Sequence, residues 1–208
     1  MADKMSFVDA MVERRSIYTL TKDTPISDAR VKELLVHAAR YVPSSFDSQT
    51  TRIVALLNDD HDQFWDITME VLRPHLDSPD KVKNTEGKIQ GFRAARGTIL
   101  FFEDPNPVKE MQTKYAAYAD KFPTWATESG AMHQYALWTA LEAEGCGANL
   151  QHYNPLVDQR VKEKWGINME WQLKAQLVFG GRAEGYKQSL QAKKVEGREK
   201  HVTVHGAK

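Results

Sequence analysis

Apolar and polar positions recur along the chain with two different periods, which predicts a mixture of helices and strands. Residues 27–42 carry apolar side chains at the i, i+3, i+4, i+7 spacing of one helix face, with Ser27 as the N-cap and Pro43 as the stop. Residues 6–13 predict a shorter helix that Ser6 caps. The apolar side of the shorter helix comprises Phe7, Val8, Met11 and Val12.

Apolar runs predict the strands. Residues 53–57 and 98–102 are continuously apolar, which suits strands that are covered on both faces. Residues 173–179 alternate apolar side chains with polar ones such as Gln176, which predicts a half-covered strand. Residues 202–204 predict a short strand in a polar tail, and such a strand is stable only when it joins a sheet.

The most apolar stretch, 131–144, predicts a helix that must be covered nearly all round, by the core or by another subunit. A glycine stops it, a short strand follows, and Asn154 with Pro155 predicts the start of the next helix. A strand end that opens onto a helix N-terminus directs backbone N–H groups into a cavity, with His152 and Tyr153 at its mouth. The stretch is therefore a candidate ligand floor, meaning the floor of a ligand-binding cavity. The alternative is that it is only the end of a helix followed by a core strand.

The arrangement of these elements favours an α+β domain over a doubly wound one, because strands and helices do not alternate regularly. Residues 74–84 are predicted as a loop, and Gly87 and Gly91 disfavour a helix in the segment after it. No strand is followed by the glycine-rich dinucleotide fingerprint, so a permanently docked nicotinamide in a Rossmann crevice is not expected. No stretch has the composition of a linker, which predicts a single domain over residues 1–208.

Composition excludes several classes of partner. Basic and acidic side chains both number 28 and the formal net charge is zero, so neither nucleic acid nor an anionic membrane is an expected partner. The single cysteine excludes an intrachain disulfide and suits a reducing compartment. Residues 1–4 show no apolar leader and no apolar run approaches membrane-spanning length, so a soluble cytoplasmic protein is expected.

Two polar segments are candidates for binding chemistry. Arg14-Arg15-Ser16 offers two guanidinium forks and a hydroxyl, which suit a phosphate monoester, although a solvated basic helix end has the same composition. Residues 43–49 place hydroxyls, a carboxylate and an amide before a strand, where they form either an ordinary turn or contacts to a heteroaromatic edge.

Two further features of the sequence do not indicate a reactive or metal-binding site. Cys146 lies between glycines with no base or cation nearby to lower its pKa, so a small buried residue is expected. The spacing of His201 and His205 suits a metal only on a helix, whereas the residues between them favour a strand, and no metal site is expected.

Three segments together resemble the nitroreductase family, in particular the branch shared by fungal nitroreductases and the copper-induced bacterial nitroreductase. They are Arg14-Arg15-Ser16-Ile17-Tyr18, Pro43-Ser44-Ser45-Phe46-Asp47-Ser48-Gln49 and Gly147-Ala148-Asn149-Leu150-Gln151-His152-Tyr153-Asn154-Pro155, and Thr98-Ile99-Leu100-Phe101-Phe102-Glu103-Asp104 also matches. The resemblance implies an intertwined homodimer with a central antiparallel sheet flanked by helices and extended by the partner's C-terminal strand. It also implies two FMN molecules at the interface, each held by both subunits.

The resemblance further implies roles for individual residues. Arg14 and Ser16 would hold the phosphate and ribityl side, with Arg15 and Tyr18 adjacent. Lys88 would lie near the pyrimidine edge, and Arg198, or Lys200 instead, would complete the phosphate site. The residues implied at the ring are Pro43, Ser44, Ser45, Asp47 and Gln49, of which Ser44, Ser45 and Asp47 come from the other subunit. Those that line the flavin are Asn149, Leu150, Gln151, His152 and Tyr153, with a backbone N–H near His152 or Tyr153 meeting N5, the atom that receives hydride.

Asp47 departs from the family, in which asparagine is common at this position. An ionised carboxylate donates no hydrogen bond, and its charge disfavours the reduced anionic flavin. The side chain therefore either accepts from ring N3–H or points away, which leaves flavin potential and substrate preference open.

The function implied is an FMN-dependent NAD(P)H oxidoreductase that reduces nitroaromatics or quinones in ping-pong turnover. NAD(P)H is a transient co-substrate that gives hydride to N5 and leaves before the acceptor enters. No side chain is expected to be an obligatory acid or base, because the protein positions rings and tunes the flavin. The alternatives are a flavin-binding stress or regulatory protein with slow turnover, and a dimeric interaction module without flavin.

Overall fold

A computed structural model of the protein describes residues 5–207. The expectation for the first four residues lies outside the described residues, and the single domain over residues 1–208 stays a prediction. The seven α-helices within the described range are α1 (Phe7–Glu13), α2 (Asp28–Tyr41), α3 (Asn58–Leu72), α4 (Pro79–Arg93), α5 (Pro105–Lys114), α6 (Phe122–Ala143) and α7 (Asp158–Trp165). The five strands are β1 (Leu20–Thr21), β2 (Thr51–Leu57), β3 (Gly97–Glu103), β4 (Gly147–Gln151) and β5 (Gln172–Arg182).

The strands form one antiparallel sheet in the order β1-β5-β3-β2, with β4 also paired to β5. Strand β5 pairs with β3 along one edge, and with β4 and then β1 along the other. Helices flank this sheet, so the predicted α+β class with an antiparallel sheet is confirmed. The prediction of a half-covered last strand was wrong, because β5 is central and Gln176 in its middle is 0% exposed.

The core lies on both faces of the sheet because alternate side chains of each strand point to opposite faces. On one face, Leu100 and Val178 join a cluster that includes Phe64 and Trp65 of α3. The opposite face packs against α2 and α6 through a second cluster. The strand residues of the second cluster are Ile99, Phe101, Ala148, Ala175, Leu177 and Phe179.

The structure confirms the predicted cap of α2 and corrects the predicted loop before α4. Helix α2 begins after Ser27, whose hydroxyl accepts from the Arg30 N–H, as predicted. The predicted loop at 74–84 is wrong in its second half, since α4 begins at Pro79 and continues through both of its glycines. Packing of its buried apolar face outweighs the cost of about 1 kcal/mol that each helical glycine carries.

The start of α7 also differs from the prediction. Asn154 does not cap it, because the helix begins only at Asp158, after a turn. Helix α6 begins at Phe122, well before the predicted 131–144 segment. The earlier start of α6 has a local signal, since Pro123 lies in its first turn, where proline is favoured.

Part of the predicted apolar surface is not covered within the chain. On α1, Phe7 is 65% exposed and only Ala10 is buried, and Met132 and Tyr135 of α6 are also exposed. Residues 202–204 are exposed and form no strand within the described range, so this strand prediction is not met in the single chain. None of the helices described between residues 5 and 207 is long and apolar enough to cross a membrane.

Candidate functional site

The segment that follows α1 is tied to the edge of β4. The Ile17 N–H donates to the Ala148 carbonyl at 2.9 Å, and the Asn149 side chain returns a hydrogen bond to the Ile17 carbonyl at 2.9 Å. Asn149 is 0% exposed, and its amide oxygen accepts from Gln151 Nε2 at 2.7 Å. The structure therefore brings two segments that are about 130 residues apart in the sequence into one site.

A basic cavity of about 840 Å³ lies at one end of this segment. Arg14, Arg15 and Ser16 line it together with Arg198, so the structure groups four of the residues that the resemblance assigns to or beside the phosphate end. Tyr18, which was expected beside Arg14 and Ser16, lines a different cavity. The Arg14 guanidinium lies 4.3 Å from the centre of the Trp138 ring, and Arg15 donates to a tail carbonyl at 2.6 Å. Their Nε atoms are buried and have no hydrogen-bond partner among the described residues. The cavity thus offers positive charge and N–H donors that an anion satisfies.

Lys193 also lines the basic cavity and was missed by the sequence reasoning. Its ammonium donates to the Val12 carbonyl and, at 3.0 Å, to the Arg14 carbonyl, which satisfies acceptors at the C-terminal end of α1. Burial, together with the charge of Arg14, lowers the pKa of Lys193. The only sequence signal was the Lys193-Lys194 pair in a polar tail, which is too common to identify a site. Lys200 does not line either of the two cavities described here.

An aromatic cavity of about 490 Å³ lies at the other end of the segment. Tyr18, Lys88, Gln151 and Tyr153 line it, which brings four of the predicted residues together. Phe92 forms a further wall, with its ring centre 6.4 Å from that of Tyr18 and 6.2 Å from that of Tyr153. Burial raises the pKa of Tyr153. Aromatic walls of this kind suit a flat ring.

The two glycines of α4 complete the aromatic cavity. A Cβ atom placed on Gly87 or Gly91 would meet no heavy atom within 4 Å, so their hydrogens face open space. Because the two residues are one helical turn apart, α4 presents bare backbone to the cavity along that face. The sequence reasoning treated these glycines only as evidence against a helix.

The turn after β4 contains the predicted ligand floor. The Tyr153 N–H donates to Gln176 Oε1 at 2.7 Å, so it is already engaged within the protein. Leu150 is half-buried and His152 is exposed, and neither lines the two cavities. Cys146 just before β4 is 0% exposed, as predicted, and burial raises the pKa of its thiol to about 12. A thiol in that state is not a nucleophile near neutral pH.

Residues 43–49 form a strained loop that lines neither of these cavities. Phe46, Asp47 and Gln49 all have positive φ, at 56°, 52° and 47°, which is unfavourable for residues other than glycine. Gln49 Nε2 donates to both Asp47 oxygens at 3.1 Å, and Arg52 donates to the Gln49 carbonyl at 2.6 Å. Backbone strain of this kind persists only where surrounding contacts impose it, and it clusters at functional sites.

An aromatic cluster anchors this loop through Phe46, a residue that the sequence reasoning left out of the site. The Phe46 ring stacks on Trp125 at 5.7 Å between centres and lies 4.7 Å from Tyr115. Phe122 completes the contact at 5.5 Å, edge-on. The ring is nevertheless 47% exposed, so part of its surface remains available.

Comparisons with known proteins identify the family and the fold. The model of the Nitroreductase family matches residues 11–181. The chain is 31% identical over 182 residues to nitroreductase FRM2 of Saccharomyces cerevisiae, covering 86% of this chain and 90% of that protein. It superposes with a TM-score of 0.84 on nitroreductase CinD from Lactococcus lactis in complex with 4-nitrophenol, at 37% identity, covering 96% of this chain and all of that one. A nitroreductase with bound FMN from Desulfitobacterium hafniense shares the fold, with a TM-score of 0.68, 15% identity and coverage of 99% and 100%.

Proposed function

The chain belongs to the nitroreductase family, and on that basis we propose that it is an FMN-dependent NAD(P)H oxidoreductase that reduces nitroaromatics or quinones by ping-pong turnover. Membership of the family identifies an oxidoreductase. One observation carries the finer assignment: a single segment lines both a basic cavity, through Arg14 and Ser16, and an aromatic cavity, through Tyr18. A ligand with a phosphate at one end and a flat ring at the other matches this pair of cavities.

The residues present fit FMN. The Nε atoms of Arg14 and Arg15, which are buried and have no hydrogen-bond partner within residues 5–207, suit a phosphate, and the open backbone at Gly87 and Gly91 leaves room for a ring. When bound, FMN supplies a two-electron carrier that takes hydride from NAD(P)H and passes reducing equivalents to the acceptor. The relative that binds FMN and the CinD complex with 4-nitrophenol support the choice of cofactor and acceptor class.

The chain's own residues bind the cofactor and orient its ring. Arg14, Ser16 and Arg198, with Lys193 added, hold the phosphate end, while Lys88 places positive charge beside the ring. Of the residues assigned to the ring from this chain, Tyr18, Gln151 and Tyr153 line the aromatic cavity, whereas Asn149, Leu150 and His152 lie in the adjoining strand and turn. None of them is assigned as an acid or base, since the exposed site allows water to supply protons.

A homodimer completes the proposed site. The strained loop lines neither cavity of its own chain, so we assign its Pro43, Ser44, Ser45, Asp47 and Gln49 to the partner's flavin. The exposed apolar side of α1 and the uncovered residues of α6 supply a surface that a second copy would bury. Residues 202–204, of which Val202 is extended, would then pair with the partner's sheet.

The absorbance spectrum of the purified protein with FMN tests this proposal first. Protein-bound yellow flavin is expected, together with NADH or NADPH oxidation that depends on a nitroaromatic or quinone acceptor. Bound FMN without acceptor-dependent turnover would support the flavin-binding stress or regulatory protein instead. A colourless protein after reconstitution would contradict both and leave the dimeric interaction module.

Replacing Asp47 by asparagine is expected to raise the midpoint potential of the bound flavin, because a carboxylate beside the ring opposes the addition of electrons. A unit charge about 8–15 Å away contributes about 1–2 kcal/mol at an effective dielectric constant of about 20. That energy corresponds to about 20–45 mV in a two-electron couple. Spectroelectrochemical titration measures the shift.

The matched control is Asp77→Asn, which removes an exposed carboxylate from the connection between α3 and α4. This variant should leave the potential unchanged. If Asp47→Asn shifts the potential no more than the control does, the Asp47 carboxylate points away from the ring, as its contact with Gln49 allows.

A further inference from the structure

Gln176 is a polar side chain in an apolar part of the core. It is 0% exposed in the middle of β5, where it pairs with Leu100 of β3 on one side and Gln151 of β4 on the other. Paired residues share a sheet face, so its side chain lies on the face of the cluster that contains Leu100 and Val178. A buried amide at such a place is costly unless its hydrogen bonds are made.

Both ends of the Gln176 amide are used by the turn after β4. Its Oε1 accepts from the Tyr153 N–H at 2.7 Å, and its Nε2 donates to Asn154 Oδ1 at 3.2 Å. The orientation is chemically required, because a backbone N–H only donates and must therefore face the amide oxygen. One buried side chain thus determines the backbone position of the turn.

The hydrogen bond from the Tyr153 N–H to Gln176 also determines which backbone N–H groups of the turn remain free to bind a ligand. The Ala148 carbonyl faces Ile17 rather than β5, and backbone groups alternate in direction along an antiparallel strand. Continued along β4, this alternation points the His152 N–H towards the edge where the Arg14–Tyr18 segment lies. Within residues 5–207, no backbone acceptor is found for it, whereas the Tyr153 N–H is occupied.

We propose that Gln176 is a positioning residue that engages the Tyr153 N–H and so leaves the His152 N–H as the donor directed at the flavin edge. The assignment rests on the proposed function, because FMN is the ligand that this donor would meet. Gln176 itself touches neither cofactor nor substrate and acts through the turn.

Amide hydrogen exchange in the apo protein tests the positioning without any cofactor. The Tyr153 amide should exchange at least about tenfold more slowly than in an open chain, as expected for one intact buried hydrogen bond, and the His152 amide should not be slowed in this way. This measurement needs no variant, so it remains decisive even if a substitution prevents folding. Exchange of Tyr153 at the open-chain rate would overturn the proposal.

Two substitutions of Gln176 separate the hydrogen bond from simple packing. Gln176→Met retains the length but removes both polar contacts, so exchange at Tyr153 should accelerate about tenfold. Gln176→Glu retains the acceptor and should preserve protection at Tyr153. Thr68→Val is the matched control, since it removes a buried hydroxyl whose hydrogen bond, to the Phe64 carbonyl at 2.8 Å, lies within α3. Equal protection of Tyr153 in Gln176→Met and wild type, or equal loss in Thr68→Val, would overturn the proposal.

Adding FMN tests the donor assignment. Saturating FMN should slow exchange at His152 by about tenfold or more while Tyr153 stays as it was, and the visible spectrum of the flavin should change in Gln176→Met but not in Thr68→Val. Bound FMN with unchanged exchange at His152 would overturn the assignment of this donor. Failure to bind FMN would instead contradict the proposed function, while the apo measurements would still decide the role of Gln176.

Discussion

The double variant Arg14→Gln/Arg15→Gln is expected to weaken FMN binding by about 10²–10⁴-fold, since each hydrogen bond to a charged group contributes about 1.5–3 kcal/mol. Both side chains line the basic cavity and both keep a buried Nε without a partner among the described residues. Glutamine retains some donor capacity but carries no charge, so the phosphate loses its strongest partners. Titration of the apo protein, followed by quenching of flavin fluorescence, measures the dissociation constant.

Riboflavin provides the ligand control, because it has the same ring and no phosphate. The affinity for riboflavin should be nearly unchanged by the double variant, so the loss of affinity is confined to FMN. The loss of FMN affinity should also become smaller as salt screens the charges. The matched protein control is Arg73→Gln/Arg160→Gln, which removes the same charge from two exposed ion pairs that line neither cavity. Equal losses for FMN and riboflavin would show that the arginines support the fold rather than bind phosphate.

Acidification is expected to destabilise the fold through His61 by about 3 kcal/mol between pH 7 and pH 4. The imidazole is 0% exposed, with Nδ1 2.9 Å from Thr98 Oγ1 and Nε2 3.1 Å from the Phe92 carbonyl. Burial lowers the pKa of His61 from 6.5 to about 4, against an opposing contribution from the Asp62 charge, while Lys22 lowers it further. Each pKa unit is worth about 1.4 kcal/mol.

The direction of the pH effect on stability follows from the number of protons that the folded and unfolded states bind. Between pH 4 and 6.5 the unfolded chain binds a proton at His61 that the folded protein does not, so stability rises with pH in that window. The contribution is complete above about pH 6.5, is lost as the pH falls towards 4, and changes little below that. Burial also lowers the pKa of His133, which adds a change of the same sign.

Urea unfolding of wild type, His61→Gln and His75→Gln at pH 7 and pH 4 measures this effect. An uncharged amide at position 61 should remove most of the pH dependence at the cost of some stability at pH 7. His75 is exposed on the surface, so its variant should keep the wild-type dependence. An unchanged pH dependence in His61→Gln would assign acid sensitivity to other groups.

Local chemistry made part of the fold and of the candidate site predictable. Ser27 caps α2 as its sequence indicates, and the 98–102 segment, predicted as a strand covered on both faces, forms most of the interior strand β3. These features depend on side-chain type and spacing over a few residues, and that information is fully present in the chain.

Other features could not be predicted, because they depend on contacts between distant segments. Two glycines argued against α4, yet the helix forms, since Ile89 and Phe92 bury its inner face against the core. Lys193 lies in a tail without a distinguishing pattern, and only the fold brings it to the end of α1. Asn154 looked like a helix cap, whereas its side chain accepts from Gln176.

The sequence by itself determined the type of most helices and strands and the family, because these reside in local periodicity and motif order. Only the tertiary structure decided that β5 is central, that Gln176 is buried beneath the turn after β4, and which N–H of that turn is already engaged. Those properties arise from strand order and register, which join residues that are far apart in the chain and leave no signal in the spacing of either segment.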